Sequence, residues 1–595
     1  MTLRRPLRPL ARVLKARAAG ENPKAIEAEN LRIRREAIRD SSRGRAESRL
    51  LLMAALFACA YGVVGLRMGA LAQSDGAEPT VARAGDPIIS QRADIVDRNG
   101  RVLATNMATH SLYVQTRDLI EPARVAEQLA VIFPELEAEK LLADFTGGRK
   151  FLWVRPQISP EQMQAVHDIG DPGLLFGPRE MRLYPNGPVA AHVLGGSRFG
   201  RQGVRSAEVL GVAGVEAQFD TQLRDPARGG EPLKLSLDLT VQAASEEVLA
   251  GGMMLMNARG AASVLMDAKT GEVISIVSLP DFDPNHRPAR LTEGNPSDDP
   301  LFNRAVQGTY ELGSTFKVFT AAQALELGLV NPDTMINTRG PLRASGQSIN
   351  DYHNYGAELS VTDVIVKSSN IGTGRMALQI GAERQKAFLQ TLGLTAPTGL
   401  EMVEARTARP MLPREWRDIN TVTISYGHGI SASPLHLAQA YASVLNGGQR
   451  VQATLLKQPE AAPGDQVVSE RTSARMRDML RQVVTRGTAS FGDVAGYEVG
   501  GKTGSADKPN PRGGYYSDKV MATFAAVFPA SDPRYVLVVT LDEPVETSGP
   551  KPRRTAGWTA VPVAAEMIRR VAPLLGLRPD ADSYAPVAVS LTAAR

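Results

Sequence analysis

Cysteine, histidine and aromatic residues are scarce in this chain of 595 residues, which has one Cys, seven His and 5% Phe, Trp and Tyr. The one cysteine, Cys59, cannot form an intrachain disulfide, and a metal site built from cysteines is excluded. The histidines are scattered without the spacing of metal ligands. The sequence therefore predicts no metal site and no bound cofactor.

Excess positive charge is absent from most of the chain, although the net charge is +5. Residues 1–49 contain 14 Lys and Arg against 6 Asp and Glu, which leaves 54 basic and 57 acidic residues in the remainder. A nucleic-acid-binding domain needs a basic face, whereas here the basic charge belongs to the N-terminal tail. We therefore expect no nucleic acid partner.

Long apolar runs are missing as well, with one exception at residues 50–66, LLLMAALFACAYGVVGL. A helix rises about 1.5 Å per residue, so this run nearly spans a hydrocarbon core of about 30 Å. Arg67 can snorkel to the interface, and the apolar stretch continues to residue 72. The sequence predicts a transmembrane anchor over residues 50–72.

The basic tail before this single apolar helix stays in the cytoplasm, and the rest of the chain is then exported. The alternative is a cleaved signal peptide, because residues 70–72 form a small-x-small site. A 49-residue leader and a 17-residue apolar run are too long for such a peptide. We therefore favour an uncleaved anchor and a cytoplasmic tail over residues 1–49.

Turn signals and apolar runs divide the exported part into two modules. Short apolar runs alternate with turns such as Asn99-Gly100, which indicates a mixed α+β module; with its linker it covers residues 73–230. A strand, a helix and a hairpin around a Lys-Thr-Gly turn begin a second module, covering residues 231–577. Residues 578–595 have the Ala-, Pro- and Asp-rich composition of a disordered tail.

A Ser-x-x-Lys motif, Ser314 to Lys317, opens a strongly apolar helical segment, so both side chains share one helix face. A helix cap with a solvated lysine is the ordinary explanation of such a motif. Here apolar neighbours predict that Lys317 is buried, which lowers its pKa and makes it a base beside a nucleophile. Two other matches, at residues 505–508 and 548–551, adjoin or contain proline and cannot lie inside a helix.

Two further short motifs each occur twice. Ser368-Ser369-Asn370 lies at a break between two helical patterns, whereas the match at residues 348–350 lies in a polar, turn-rich run. Lys502-Thr503-Gly504 follows a short apolar run and a Gly pair, whereas the match at residues 269–271 is explained by its hairpin turn. The candidates for a site are therefore Ser368-Ser369-Asn370 and Lys502-Thr503-Gly504.

The segment GYEVGGKT, residues 496–503, also fits the pattern of a phosphate-binding P-loop. A P-loop must lead into a helix whose N-terminus faces the phosphates. Here GSADKPNPRGG follows, with two prolines and a late glycine pair, so no helix is expected. A P-loop nucleotide-binding protein remains the alternative from another functional class.

Ser-x-x-Lys, Ser-x-Asn and Lys-Thr-Gly in this order resemble the signature of penicillin-recognising serine acyltransferases. DIVDRNGRVLATN, REMRLYPNGPVAAHVLG and GVEAQFD look like the N-terminal module of class B penicillin-binding proteins, and DYHN, KSSNIG and VGGKTGSADK like their transpeptidase domain. The long basic tail and REMRLYP most resemble the division-specific branch; the elongation-specific branch is the alternative. His428 stands where this family usually has an aromatic residue or Gln.

The resemblance implies a multidomain α+β fold. It comprises one N-terminal transmembrane helix, an elongated α+β pedestal or dimerisation-type module, and a transpeptidase domain similar to serine β-lactamases, with an antiparallel sheet flanked by helices. It also implies an anchor in the bacterial inner membrane and a periplasmic catalytic domain. The implied partners are peptidoglycan stem peptides, β-lactams, a membrane glycan polymerase and other division proteins.

The implied reaction is D,D-transpeptidation of stem peptides that end in D-Ala-D-Ala. By resemblance Ser314 attacks the penultimate carbonyl, Lys317 accepts its proton, and Ser368 relays that proton to the leaving amine. Asn370 orients Lys317 and the substrate, and Lys502 keeps Lys317 neutral by repulsion.

The same resemblance assigns the binding of the terminal carboxylate to the Lys-Thr-Gly segment, with Lys502, Thr503, Gly504 and Ser505 as the substrate-binding residues. The backbone N–H groups of Ser314 and Ser505 would form the oxyanion hole. A β-lactamase is less compatible with the sequence, because no convincing segment for a deacylating base follows the Ser-x-Asn motif. A penicillin sensor would need a signalling domain larger than the tail.

Overall fold

The computed structural model describes residues 8–22, 24–26, 28–29, 32, 36, 52–65, 92–202, 207–458 and 464–580. The chain divides into two compact units, residues 1–83 and 84–595. The first contains helix α1, Arg8–Ala18, and helix α2, residues 52–65. Within the described ranges, no helix is both long and apolar enough to cross a membrane.

The ends of the predicted anchor, residues 50–51 and 66–72, lie outside the described residues, as do the linker at 73–90 and the signal-peptide site. Most of the predicted disordered tail, from residue 581, lies outside them too. Helix α2 coincides with the apolar run, and Leu52, Leu56 and Phe57 are each at least 60% exposed on it.

The second unit begins with a sheet of five strands, β1 (Ile95–Val96), β2 (Val102–Gln115), β3 (Phe151–Ile158), β4 (Leu174–Leu183) and β7 (Leu233–Lys234). Strand β2 is central: it pairs antiparallel with β1, β3 and β4, while β1 pairs parallel with β7. The predicted Asn99-Gly100 turn joins β1 to β2, with Gly100 at φ 85°. Asp97 accepts backbone hydrogen bonds from Asn99 and Arg101 and so holds this turn.

Three helices, α3 to α5, pack against the far end of this sheet around a separate apolar cluster that includes Leu112, Leu129 and Phe133. Strands β5 and β6 form an antiparallel pair beside it. The bounds of these elements and of the short helices that follow are α3 Pro122–Ile132, α4 Ala138–Thr146, α5 Pro160–His167, α6 Ala191–Leu194, β5 Gly196–Gln202, β6 Ala207–Ala213, α7 Gly214–Gln218 and α8 Asp220–Leu223.

A buried ion network ties two of the segments quoted above for the N-terminal module, REMRLYPNGPVAAHVLG and GVEAQFD, to Arg92, which lies two residues before DIVDRNGRVLATN. Glu216 has no exposed surface and accepts from Arg92 Nε at 2.7 Å and from Arg182 Nε at 2.7 Å. Asp220 accepts from a second nitrogen of Arg92 at 2.7 Å, and Tyr184 donates to Glu216 at 3.3 Å. The residues come from three distant segments, so the network fixes their relative positions.

Glu216→Gln should lower the free energy of unfolding by about 3–5 kcal/mol, because it leaves two buried guanidinium groups without their shared carboxylate. Urea unfolding followed by tryptophan fluorescence measures this change. Glu231→Gln is the control, since its carboxylate is 67% exposed and pairs only with Arg228 at the surface. Equal stability of the two variants would contradict a structural role for the network.

The larger part of the second unit is built on a five-stranded antiparallel sheet in the order β14-β15-β16-β8-β9. The predicted hairpin forms β8 (Gly260–Asp267) and β9 (Val273–Leu279), and the apolar runs MATFAAVF and YVLVVTLD near the C-terminus lie in β15 (Tyr515–Phe528) and β16 (Tyr535–Asp542). All of β16 and β9 is buried, as expected for strands covered on both faces. Strand β14, Gly500–Pro509, is an edge strand.

Helices cover this sheet. Helices α9 and α17 pack on each other and on the sheet, and α15 packs on β8 and β16. Two small hairpin-like pairs, β10 with β13 and β11 with β12, lie outside the main sheet. The remaining bounds are α9 Leu239–Leu255, α10 Lys317–Glu326, β10 Met335–Asn337, β11 Leu342–Ala344, β12 Gln347–Ile349, β13 Glu358–Ser360, α11 Val361–Val366, α12 Asn370–Ile380, α13 Ala382–Thr391, α14 Asp418–Ser425, α15 Pro434–Leu445, α16 Glu470–Arg486 and α17 Ala560–Leu574.

Candidate active site

The three candidate motifs meet at one open cleft of about 420 Å³ between the edge strand β14 and the helices beside it. Five of the sequence-predicted residues line this cleft: Ser314, Ser368, Asn370, Thr503 and Ser505. Lys317 and Lys502 lie beneath its floor with no exposed surface. Residues that are up to 191 positions apart in the chain are therefore brought into a single site.

Ser314 lies on a 3-10 turn, Gly313–Phe316, that leads directly into α10. The sequence prediction that Ser314 itself opens the helix is corrected here, because α10 begins at Lys317. Gly313 has φ 57°, a left-handed conformation that favours glycine and turns the chain sharply before the serine. Ser314 is partly exposed and lines the cleft.

Lys317 is buried under the cleft, as its apolar neighbours predicted. Its Nζ contacts Ser368 twice, at 2.5 Å from the backbone oxygen and 3.0 Å from the hydroxyl. Burial lowers the pKa of Lys317 well below its usual range, and repulsion from Lys502 lowers that pKa further, while Asp351 raises it. These effects together favour the neutral amine of Lys317, the form that can accept a proton.

Lys502 reaches the same hydroxyl from β14, where it pairs in register with Ala525. Its Nζ lies 3.0 Å from Ser368 Oγ and 3.0 Å from the backbone oxygen of Thr503. Burial lowers the pKa of Lys502 to about 7. Repulsion between the two amines means that a charge on Lys502 favours the neutral form of Lys317.

The Ser368 hydroxyl therefore bridges the two amines, at 3.0 Å from each. It can accept a hydrogen bond from the Lys502 ammonium and donate one to neutral Lys317. Ser368 is one of the non-glycine residues with positive φ, at 62°, a conformation that costs on the order of 1–3 kcal/mol unless its surroundings enforce it. The strained serine is the one whose hydroxyl links the two lysines.

Asn370 begins α12 immediately after this strained residue. Asn370 lines the cleft, and its side-chain N–H donates to the backbone oxygen of Asn350 at 3.2 Å, while the same amide also carries a carbonyl oxygen. Such an oxygen can accept a hydrogen bond from a peptide N–H. Ser369 caps the helix by accepting from the backbone N–H of Gly372 at 2.9 Å.

Strand β14 approaches the Ser314 turn so closely that glycine is required on both sides. A Cβ added to Gly504 would overlap the carbonyl oxygen of Leu312, and one added to Gly313 would lie 3.0 Å from the carbonyl oxygen of Ser505. The Thr503 hydroxyl is 2.8 Å from that of Thr488, and Ser505 Oγ accepts from the backbone N–H of Ala556 at 2.9 Å. Both hydroxyls are held at fixed positions beside the cleft.

Gly504→Ala should reduce acylation by a penicillin at least about 100-fold, because the new methyl group would push β14 away from the Ser314 turn. Stopped-flow acylation with a chromogenic β-lactam measures the effect. Gly513→Ala is the control, since a Cβ there meets open space, although its φ of 101° also carries strain. Equal acylation rates for the two variants would show that the close approach of β14 does not matter.

Sequence reasoning assigned no role to several residues of the site, most of which lie on segments without a motif. Thr488, Thr555 and Trp558 line the cleft from the segment after α16 and the segment before α17. Asp351, in the DYHN segment, accepts from Ser369 and from the backbone N–H of Ile371. The rejected Ser-x-Asn match at 348–350 also adjoins the site, since Asn350 anchors Asn370.

The P-loop alternative does not fit the structure. Lys502 and Thr503 lie inside β14, which continues to Pro509 and pairs with β15 along its length. No helix follows Thr503, so there are no helix N-terminal N–H groups to receive a phosphate.

Comparison with known families gives two matches along this chain. The penicillin binding protein transpeptidase domain matches residues 261–567, which include all three motifs. The penicillin-binding protein dimerisation domain matches residues 87–231, which include β1 to β6 and the buried Glu216 network.

Similar proteins match over most of their length. The chain is 35% identical to "Probable peptidoglycan D,D-transpeptidase FtsI" of Caulobacter vibrioides, with 91% of each chain covered. It is 27% identical to "Peptidoglycan D,D-transpeptidase FtsI" of Escherichia coli (strain K12), covering 83% of this chain and 85% of that protein. A crystal structure of penicillin binding protein 3 from Mycobacterium tuberculosis, complexed with aztreonam, superposes with a TM-score of 0.62 at 25% identity, covering 82% of this chain and 97% of that chain.

Proposed function

The chain belongs to the class B penicillin-binding proteins of the FtsI type, and we propose that it cross-links peptidoglycan stem peptides at the division septum through an acyl-enzyme on Ser314. The family and the two-module α+β organisation expected from the sequence are thereby confirmed. The observation that carries the proposed mechanism is the Ser368 hydroxyl, 3.0 Å from the amines of both Lys317 and Lys502 beside Ser314.

Acylation begins when the Ser314 hydroxyl attacks the penultimate carbonyl of a stem peptide ending in D-Ala-D-Ala. The proton of Ser314 passes to neutral Lys317 as the new C–O bond forms. The C–N bond to the terminal D-Ala then breaks, and its nitrogen receives a proton from Lys317 through Ser368. The amine of a neighbouring stem attacks the ester, releases Ser314 and completes the cross-link.

Substrate binding falls to the edge strand β14. The terminal carboxylate binds beside Lys502, Thr503 and Ser505, with Gly504 allowing the strand to lie close to the Ser314 turn. The charge on Lys502 and the fixed hydroxyls of Thr503 and Ser505 support this assignment. The backbone N–H groups of Ser314 and Ser505 form the oxyanion hole, where one such donor is worth about 2.7–4 kcal/mol.

A β-lactam mimics this substrate. The carbonyl of its strained amide faces Ser314, and its carboxylate lies beside Lys502. Acylation opens the ring but leaves the leaving nitrogen attached, so the ester persists. The aztreonam complex of the structural relative supports β-lactam binding by this fold.

The same proposal places the protein in the bacterial inner membrane, with residues 1–49 in the cytoplasm, an anchor at 50–72 and the catalytic domain in the periplasm. The uncharged run at residues 50–66 and helix α2 within it support the anchor. The pedestal module covers residues 73–230, the transpeptidase domain 231–577 and the C-terminal tail 578–595. A membrane glycan polymerase and other division proteins are the partners.

Depletion of the protein in its own bacterium tests the septal role. Long filaments without septa are the expected result, because elongation continues while septal cross-linking stops. Re-expression of the wild-type protein should restore division, and re-expression of Ser314→Ala at equal abundance should not. Rounded cells would instead assign the protein to the elongation role.

A further inference from the structure

Asp351 lies beside the Ser368–Asn370 turn, in the segment that follows β12. One oxygen of its carboxylate accepts from the Ser369 hydroxyl at 2.6 Å, and the other accepts from the backbone N–H of Ile371 at 3.0 Å. The next residue back, Asn350, accepts from the Asn370 side chain at 3.2 Å. Three consecutive residues of the turn region are therefore held by two residues of a segment about 20 positions earlier.

These bonds act on the residue whose conformation is least favourable. Ser368 has φ 62°, and the residue after it is fixed by Asp351 while capping α12. A non-glycine residue persists in the left-handed region when the surrounding structure determines it. The Asp351 carboxylate, which is bonded to both sides of the α12 start, supplies that constraint with two charge-assisted hydrogen bonds.

Asp351 also acts on Lys317 through its charge. The groups around the Lys317 amine are the Lys502 amine on β14, the Ser368 hydroxyl and the Asp351 carboxylate. Other titratable side chains that line the cleft next to these motifs include His353, Tyr355 and Lys367. Lys502 lowers the pKa of Lys317, and Asp351 raises it. The carboxylate therefore offsets part of the positive charge gathered under the floor of the cleft.

We propose that Asp351 is a positioning residue for this reaction: it holds the Ser368–Asn370 turn so that the Ser368 hydroxyl lies between Lys317 and Lys502, and it supplies the counter-charge for that pair. Asp351 does not touch the substrate. The inference rests on the proposed function, since it concerns the relay that serves Ser314.

The test compares the pH profiles of acylation by a chromogenic β-lactam for full-length wild-type protein and Asp351→Asn. The plateau should fall about 10- to 100-fold, because an amide cannot accept both hydrogen bonds as a carboxylate does. The acid limb of the profile, where the rate rises as Lys317 becomes neutral, should also move to lower pH by about half a unit or more. The reason is that the lost negative charge no longer favours the Lys317 ammonium.

Three variants separate positioning from charge. Asp351→Glu and Ser369→Ala keep the negative charge and disturb the geometry, so each should lower the plateau and leave the acid limb in place. Asp363→Asn is the matched control, because this carboxylate lies on neighbouring α11 and accepts from Arg486 of α16 at 2.8 Å. The change should leave both features of the profile unchanged. Melting temperatures identify the variants that fold.

A folded Asp351→Asn variant with the plateau and acid limb of the wild type would overturn the inference. If that variant does not fold, an unchanged plateau in both Asp351→Glu and Ser369→Ala would overturn it. Failure of the proposed function looks different, since the wild-type protein itself would then not be acylated at Ser314.

Discussion

Lys317→Met should lower the rate of acylation by a penicillin by about 10²–10⁴-fold, the range for losing a positioned general base. Methionine has nearly the length of the lysine stem and needs no buried charge, so it fills the same space below the cleft. Ser314 then has no amine to take its proton, and the Ser368 hydroxyl loses one of its two partners. Stopped-flow measurement of the second-order acylation constant gives the effect.

Lys317→Met should also keep or raise the melting temperature, which separates lost chemistry from lost folding. Desolvation depresses the pKa of Lys317, so the unfolded chain holds a proton that the folded protein releases, and this costs stability at neutral pH. Lys386→Met on the exposed side of α13 is the control and should acylate normally. Near-normal acylation of Lys317→Met would contradict the assignment of Lys317 as the base.

The second-order rate constant for acylation of the wild-type protein should follow a bell-shaped pH profile. The midpoint of its alkaline limb, which reports the free enzyme, should lie near pH 7. The acid limb rises as Lys317 becomes neutral, and the alkaline limb falls as Lys502, whose pKa burial lowers to about 7, loses its charge. A bound carboxylate favours the Lys502 ammonium, so the alkaline limb should move upward when the rate is measured at saturating β-lactam.

Lys502→Met should remove the alkaline limb and lower the acylation constant by about 10²-fold or more, because a charged hydrogen bond to the carboxylate is lost. In the wild-type protein, the lowering of the Lys502 pKa from 10.5 to about 7 costs on the order of 5 kcal/mol of folding stability at pH 7 and below. This cost decreases as the pH rises from about 7 to about 10.5, because the unfolded chain then loses the same proton. A variant that keeps the alkaline limb would show that another group titrates there.

The catalytic motifs could be predicted from the sequence because each is local. Ser314 and Lys317 are three residues apart at the start of an apolar helical segment, and the apolar neighbours of Lys317 predict its burial. The residues after Thr503 correctly predicted that no helix begins there, and the structure places Lys502 and Thr503 in β14. The hairpin of β8 and β9 was likewise visible as two apolar runs around a turn.

The supporting residues could not be predicted, because their roles depend on tertiary contacts. Asp351 precedes Ser369 by 18 residues, and Thr488 precedes Thr503 by 15, and neither spacing has a meaning within one helix or strand. The left-handed conformation of Ser368 leaves no mark on a sequence whose residue there is an ordinary serine. The segment containing Asn350 was set aside because Ser-x-Asn is common in turns, yet it anchors the motif that was retained.

Mass spectrometry of the penicillin adduct tests the central claim most directly. Full-length protein treated with a penicillin, then digested, should carry one bound drug on the peptide that contains Ser314. Ser314→Ala should carry none, while its melting temperature stays close to that of the wild type. An adduct on another residue, or labelling that survives in Ser314→Ala, would contradict the account.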